Sequence, residues 1–488
     1  MFSWTSSLST RFDVHVDSDD DRQAWERSEG AATRPLPPGY RPRQPEGTIL
    51  HRVVRENLPT FLEAAREHGP GLPLYVADEL KDFLTCGVLA HGFARVRCTA
   101  CGDEILVGFS CKSRGICPSC TARRATDCAA HLVDAVLPAV PLRQWVLTFP
   151  KRVRWILVKK PKLIGPVLAI FLRALTTFQR ARARALGIDD GGQSGAITFV
   201  QRFGSALQLN VHLHIEVPDG LFVEGTFHRL PPPRDEDVDV LLRKTAKRVV
   251  RLLKANVDDN DEFANNALEA LDAASLASNK PAGDGESRPK RLTTFLEGFS
   301  LNASVKIHEN DRQGRERLCL YGARGAITLS RLTGLPDGRV SYHMKRPLPD
   351  GRTHLVMTGV ELLKKLAPLI PPPKLHILRF HGVFAPNAKQ RSAVVPKQAQ
   401  PQPACVDEAP PKAREQPPAS PYRLDWAAAL KRVFGTEILL CLCGGRRKMI
   451  AFIEKTSAVK AILEHLGLPS VPLPIGKPRG PPELFLDN

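Results

Sequence analysis

Cysteine supplies the most distinctive chemistry in this chain. Cys98-Thr99-Ala100-Cys101 and Cys117-Pro118-Ser119-Cys120 are both C-x2-C pairs, with fifteen residues between them. Each pair sets two thiolates on one tight turn, and two such turns supply four ligands for one tetrahedral zinc ion. Gly102, just after the first pair, suits a knuckle turn. Cys86, Cys111 and His91 are further candidates, either for a second ion or as substitutes within the quartet. Six of the 11 cysteines fall between Cys86 and Cys120. In a chain without a secretory segment that clustering points to metal rather than disulfides. A four-thiolate site has no open position, so its zinc is structural. Arg123 and Arg124, with Lys112 and Arg114, flank the cluster. They suit phosphate contact and equally a solvated basic face.

A second pattern is Val211-His212-Leu213-His214-Ile215. Alternate residues of a strand share a face, so His212 and His214 point one way and Leu213 points into the core. Two imidazoles on one rigid strand can chelate a divalent ion and leave positions open for a phosphate oxygen. The same pattern fits an ordinary exposed strand face. A third is the basic run Lys151, Arg152, Arg154, Lys159, Lys160 and Lys162 around Trp155. Cations that track a backbone, plus an aromatic ring for base stacking, suit single-stranded DNA; a basic surface around a core tryptophan is the competing reading.

These residues need elements to hold them. Residues 144–149 read as a buried strand and 163–186 as a long helix. Residues 197–203 and 210–217 read as a strand pair turned at Gly204-Ser205. Helices over 236–256 and 260–277 lead to a polar loop, 279–290. Short strands near 301–306, 338–345 and 353–357, a helix over 358–368 and a strand over 375–380 follow. Upstream, helical spacing from Leu50 to Ala65 is interrupted near Pro59, and a second helix covers 73–84. Composition divides the chain into a disordered tail (1–46), a helical and zinc-binding DNA-binding domain (47–130), a central domain (140–386), a Pro-rich linker (387–420) and a small C-terminal unit (421–488) with helices around 424–433 and 457–466.

Over 488 residues, 69 Lys and Arg oppose 51 Asp and Glu, a net charge of +18. That surplus calls for a polyanionic partner, nucleic acid or an anionic membrane. No apolar run approaches the roughly 18 residues of a spanning helix. The acidic Asp17-Ser18-Asp19-Asp20-Asp21 run sits where a signal peptide would need an apolar core. A cytoplasmic protein that spans no membrane is expected. No Walker-type loop is present, so no nucleotide cofactor is expected.

The stretch Gln201-Arg202-Phe203-Gly204-Ser205-Ala206-Leu207, with His212-Leu213-His214 and Pro218-Asp219-Gly220, resembles the motif-bearing hairpin of HUH transposases. It looks in particular like the rolling-circle transposases of the insertion-sequence-91 family and their common-region relatives. Ser110-Cys111-Lys112 through Cys117-Pro118-Ser119-Cys120 resembles that family's N-terminal zinc-binding domain. Arg143-Gln144-Trp145-Val146-Leu147-Thr148-Phe149-Pro150 resembles its first catalytic strand, and Arg317-Leu318-Cys319-Leu320-Tyr321 with Arg324 and Arg331-Leu332 its tyrosine motif.

The resemblance implies an α+β protein: a zinc-ribbon module joined to an HUH-type antiparallel sheet, with helices packed on one face. It makes 140–386 the catalytic domain and Tyr321 the nucleophile. It gives Mg2+ or Mn2+ to His212 and His214, with Gln201 or Asn210 as third ligand, and structural Zn2+ to the cysteines. The implied reaction cleaves and rejoins single-stranded or hairpin DNA at element ends through a 5′-phosphotyrosine, in a nucleoid-associated bacterial setting. A replication initiator or relaxase shares this chemistry, and a non-catalytic zinc-ribbon DNA-binding regulator is the alternative from another class. Three departures stand out. Gly325 occupies the position where some members carry a second tyrosine, which implies a single-tyrosine enzyme. Arg324-Gly325-Ala326 replaces an Arg-Pro-Pro, implying a looser helix. Cys441-Leu442-Cys443-Gly444-Gly445 is one residue short of the family's Cys-Pro-x-Cys-Gly-Gly, and no partner pair follows it, which argues against a second zinc site there.

Overall fold

A computed structural model describes residues 43–67, 71–188, 192–256, 291–348, 350–396 and 438–479. The expected tail up to residue 42, the helix over 260–277, the loop over 279–290, the linker from 397 and the helix over 424–433 lie outside the described residues.

The chain opens with α1 (Ile49–Glu67) and α2 (Leu74–Thr85). Contrary to expectation, α1 runs unbroken through Pro59. Proline lacks the N–H that would bond the carbonyl four residues back, here that of Arg55. Gly476 of the C-terminal segment donates its own N–H to that oxygen at 2.9 Å. Tertiary structure thus satisfies the acceptor that the local sequence orphans. β1 (Phe93–Cys98) and β2 (Glu104–Gly108) form a hairpin whose turn carries Cys98 and Cys101. α3 (Pro118–Ala135) starts directly after Cys117, with Pro118 where a missing N–H costs nothing.

The central region follows as β3 (Leu142–Thr148), α4 (Lys151–Lys159), α5 (Ile164–Ala185), β4 (Gly195–Phe203) and β5 (Leu209–Pro218). Next come β6 (Gly220–Val223), β7 (Thr226–Arg229), α6 (Asp235–Lys254), β8 (Thr293–Leu296), β9 (Phe299–Asn302), β10 (Lys306–Ile307) and α7 (Arg312–Ala323). A small sheet of β11 (Leu332–Gly334), β12 (Val340–His343) and β13 (His354–Met357) leads to α8 (Gly359–Leu366), β14 (Leu378–Gly382) and α9 (Arg391–Val394). The chain resumes with β15 (Arg447–Ile453) and α10 (Thr456–His465).

The principal sheet has seven strands in the order β14-β4-β5-β3-β9-β8, with β10 also on β3. Every pairing in it is antiparallel. The histidine strand β5 lies between β4 and β3. Gln201 and Thr148 stand opposite His212, Phe199 and Val146 opposite His214, and Ile197 and Gln144 opposite Glu216. Directly opposed residues share a face, so register gathers the polar set on one side, and a one-residue slip would invert it.

The opposite face carries Val211, Leu213, Ile215 and Val217, which form one core with residues of α5 and α6. Trp145 of β3 meets Phe171 of α5 at 6.1 Å between ring centres. The expected α+β class and antiparallel sheet are present, but helices cover both faces rather than one. α3 and α7 pack over the histidine side, where Ala129, Leu132, Val133 and Leu318 join Ile197 and Phe199. Strand β4 is buried at eight successive positions, and a strand that is apolar on both faces needs cover on both.

Contrary to the expectation that no run is long enough to span a membrane, residues Pro161–Ala185 are long and apolar enough, by length and composition alone, to cross one. In the fold Val167, Leu168, Phe171 and Leu175 of this segment are buried in the core.

The outer end of the sheet is tied by Arg143 of β3, which donates to both carboxylate oxygens of Asp219 at 2.8 and 2.7 Å and to the Ala303 carbonyl at 2.8 Å. Both side chains are largely buried. Arg143→Ala strands a buried carboxylate, which costs about 3–5 kcal/mol. The expected result is a lower urea midpoint at an unchanged slope; a midpoint equal to that of the parent protein would show the pair to be neutral.

Candidate active site and cysteine centres

The cysteines do not assemble as the expected quartet of Cys98, Cys101, Cys117 and Cys120. Two groups form instead: Cys86, Cys111, Cys117 and Cys120, and Cys98, Cys101, Cys441 and Cys443, each with all sulfurs within 4.8 Å of one another. Within the first, Cys86 lies 3.5 Å from Cys117 and 3.6 Å from Cys120, and Cys111 lies 3.5 Å from Cys120. Within the second, Cys98–Cys443 and Cys101–Cys441 are both 3.6 Å. A disulfide needs about 2.05 Å, whereas a tetrahedral ion with sulfurs at about 2.3 Å has sulfur–sulfur edges of about 3.8 Å. Both groups fit zinc.

The regrouping has a simple cause. Cys98 and Cys101 turn at the tip of the β1–β2 hairpin, while Cys117 and Cys120 open α3. Cys86 and Cys111, read as extra candidates, are full members of the first centre. Hydrogen bonds among the four sulfurs pull the Cys86 and Cys120 thiols down and leave Cys111 and Cys117 raised, as expected of thiols in mutual contact. Glu79 of α2 holds the loop between ligands: one of its oxygens accepts from the Gly115 and Ile116 amides at 2.6 and 3.0 Å and from the Ser113 hydroxyl at 2.6 Å. His91 is exposed and joins neither centre. Cys441 and Cys443 do have a partner pair, Cys98 and Cys101, which precedes them in the chain rather than following. Arg124 donates to the Lys112 carbonyl at 2.9 Å and Arg123 lies 3.9 Å from Asp127, so both brace the module as well as charging its surface.

The histidine pair sits as the alternation requires, with ring centres 4.9 Å apart. His212 Nδ1 is 2.8 Å from the Asn210 carbonyl oxygen. A carbonyl only accepts, so Nδ1 holds the proton and Nε2 keeps its lone pair. Asn210, a candidate ligand, therefore orients His212 through its backbone. His214 is 4% exposed, and among the described residues neither ring nitrogen has a hydrogen-bond partner. Burial pushes the His212 imidazole down to about 4 and that of His214 well below its ordinary value. Both are then neutral at physiological pH, the form that ligates metal.

Gln201 projects from β4 on the same face and is nearly buried. Its amide nitrogen donates to the carbonyls of Tyr321 and Gly322 at 2.8 and 3.0 Å. Carbonyls of a last helical turn lack intrahelical partners, so Gln201 ties the end of α7 to the sheet through its amide nitrogen, and its amide oxygen is the atom that could ligate a metal. Tyr321 is half-buried, edge-to-face on His214 with ring centres 5.5 Å apart. The Arg324 guanidinium lies 4.4 Å from the centre of the tyrosine ring and the Lys345 ammonium 5.5 Å. Tyr342 is 2% exposed on β12.

The second-tyrosine position is closed. α7 ends at Ala323, with Arg324 extended (φ −60°, ψ 155°). A Cβ on Gly325 would fall 2.7 Å from Thr121 Oγ1 and 3.0 Å from Thr121 Cβ of α3. Instead of loosening, the helix stops, and the chain packs against the zinc module.

The basic run after β3 is itself a helix, α4. Lys151 and Arg152 are exposed on it, and Trp155 is half-buried beneath Lys159, whose ammonium is 5.0 Å from the ring centre. Arg154 turns inward: burial lowers it to about 10, and its charge helps hold His212 neutral. Four residues escaped the sequence reading in these roles. Glu216 continues the His212–His214 alternation, is fully buried, and accepts from the Cys319 thiol at 3.4 Å, which links β5 to α7. Burial raises its carboxyl to about 8. Extending the period-2 count by one step would have found it. Arg324 entered only as part of a motif, Arg154 only as a DNA contact, and Lys345 carries no local signal.

Residues 54–149 match a family described as transposase zinc-binding domain, and residues 195–392 match one described as "Putative transposase". With the first cysteine centre inside one match and the histidine–tyrosine cluster inside the other, the class is that of a DNA-processing transposase. The chain belongs to the insertion-sequence-91 family of transposases and carries that family's N-terminal zinc-binding domain. No curated protein and no solved structure matches it.

Proposed function

We propose that this transposase cleaves and rejoins single-stranded or hairpin DNA through a covalent 5′-phosphotyrosine, as rolling-circle transposition requires. The observation that carries the reading is the contact of the half-buried Tyr321 with the buried, unpartnered imidazole of His214 under two cations. The orphaned ring nitrogens of His214 fit a divalent ion, which His212, His214 and the Gln201 amide oxygen would hold. Such an ion, Mg2+ or Mn2+, polarises the scissile phosphate when bound.

Tyr321 Oη attacks phosphorus. The bond to the 3′ oxygen breaks, one strand end leaves as a free 3′-OH, and the 5′ phosphate stays on the tyrosine. Arg324 and Lys345 offset the charge that builds on the phosphate. The covalent link conserves the phosphodiester bond, so rejoining draws on no nucleotide cofactor. Lys151, Arg152 and Trp155 of α4, with Arg123 and Arg124 of α3, serve as strand contacts in this reading, and the reaction belongs in the bacterial cytoplasm at the nucleoid.

The test is direct: incubate the full-length protein with Mn2+ and a pool of single-stranded and hairpin oligonucleotides, then separate under denaturing conditions. A protein–DNA adduct with a matching free 3′-OH product is expected. Protein of full zinc content that forms none on any substrate refutes the proposal.

Binding should also depend steeply on salt. On single strands each neutralised phosphate contributes about −0.7 to the log–log slope, so four to six contacts give about −3 to −4. A flat slope between roughly 50 and 200 mM salt would remove the basic helix from the interface.

A further inference from the structure

We propose that Cys98, Cys101, Cys441 and Cys443 form a second structural zinc centre, a clasp that holds the C-terminal segment on the N-terminal module. The family matches end at residue 392, so half of this centre lies beyond them. It does not rest on the tyrosine chemistry, and its test reads metal and cysteine protection rather than cleavage.

The site is built as two knuckles. Gly102 (φ +75°) follows Cys101 and Gly444 (φ +82°) follows Cys443, left-handed positions that favour glycine. On one side the Gly102 amide donates to the Cys98 carbonyl at 3.1 Å. On the other the Cys441 amide donates to the Gly445 carbonyl at 2.9 Å, and the Gly445 amide to the Cys443 sulfur at 3.4 Å. A Cβ on Gly445 would fall 2.7 Å from Ala100 Cβ, 3.0 Å from Cys98 Sγ and 3.3 Å from Cys443 Sγ; only a glycine lets the knuckles close. Four soft thiolates at tetrahedral spacing select zinc over harder ions.

Everything around the sulfurs binds the same two segments. β15 pairs with β1 from Cys98↔Arg447 to Phe93↔Ile453, making the hairpin a three-stranded ribbon. The nearly buried Arg447 donates to Asp103, beside Cys101, and to the Leu440 carbonyl at 2.9 Å. Val459 and Leu463 of α10 share a small core with Phe93 and Leu106. Farther along, the Gly476 amide occupies the Arg55 carbonyl freed by Pro59, and the Arg479 amide donates to Thr60 Oγ1 at 3.0 Å. Cys101 and Cys441 stand 340 positions apart, with the whole principal sheet between them in sequence. A metal link across so long a loop restricts the unfolded chain more than a local one would.

The experiment uses the full-length chain, reduced and with zinc retained. Mass spectrometry under native conditions should give two zinc ions per chain. Iodoacetamide labelling during stepwise chelation, followed by peptide mapping, should expose Cys98, Cys101, Cys441 and Cys443 as one group, and Cys86, Cys111, Cys117 and Cys120 as another. Cys443→Ser should carry one ion, leave Cys98, Cys101 and Cys441 open to label, and speed amide exchange across β15 on the order of tenfold or more. Cys98→Ser should give the same pattern. One zinc per parent chain, or Cys98 losing protection together with Cys117 and independently of Cys443, overturns the clasp. The parent-protein labelling decides the matter even if a variant fails to fold.

Discussion

Tyr321→Phe is expected to lose the covalent DNA adduct and the nick together, by at least about a thousandfold, while fold, zinc content and DNA affinity persist. The substitution removes one oxygen. The ring keeps its edge-to-face contact with His214 and its place beneath Arg324 and Lys345. The two bonds from Gln201 go to backbone carbonyls, so the end of α7 stays on the sheet. Tyr342→Phe should still form the adduct, because Tyr342 is enclosed in the core, with Leu332 and Leu355 opposite it on the neighbouring strands. No second attachment should arise near Gly325, where Thr121 leaves no room for a ring. Mapping the DNA-linked peptide of the parent protein decides the assignment: a link at any residue other than Tyr321 ends it.

Alanine at His212 or His214 should reduce cleavage by at least about a hundredfold and leave DNA binding close to that of the parent. Binding and cleavage are separate jobs. In the proposed mechanism affinity comes from cations spread over α3 and α4, whereas the imidazoles would meet only the scissile phosphate and its metal. The structural cost is modest. His214 makes no hydrogen bond among the described residues, so its loss is one of packing, and His212 gives up a single bond to the Asn210 carbonyl, worth about 1 kcal/mol. Gel-shift affinity and cleavage rate, measured side by side across a Mn2+ titration, separate the outcomes. Either variant cutting at the parental rate would leave the pair without a catalytic role, and loss of binding equal to the loss of cleavage would make it a DNA contact instead.

Much of the site was legible along the chain. The shared face of His212 and His214 follows from the two-residue period of a strand, and the C-x2-C knuckles from the geometry of one tight turn. Both are settled within a few residues, so spacing alone determines them, and Glu216 was readable by the same rule. Which cysteine pairs share an ion was not. Strand β15 enters the ribbon from the far end of the chain, and no local spacing encodes a pairing between segments 340 residues apart. The same holds for Pro59, whose local effect is to orphan a carbonyl and whose remedy is the distant Gly476. It holds for Gln201, placed beside His212 by strand register and under Tyr321 by helix packing, and for Lys345, brought to the tyrosine by a separate small sheet. Short-range patterning determined which residues could ligate or react. Long-range strand pairing and helix packing decided which of them meet, because those contacts form only when distant apolar faces are buried against each other.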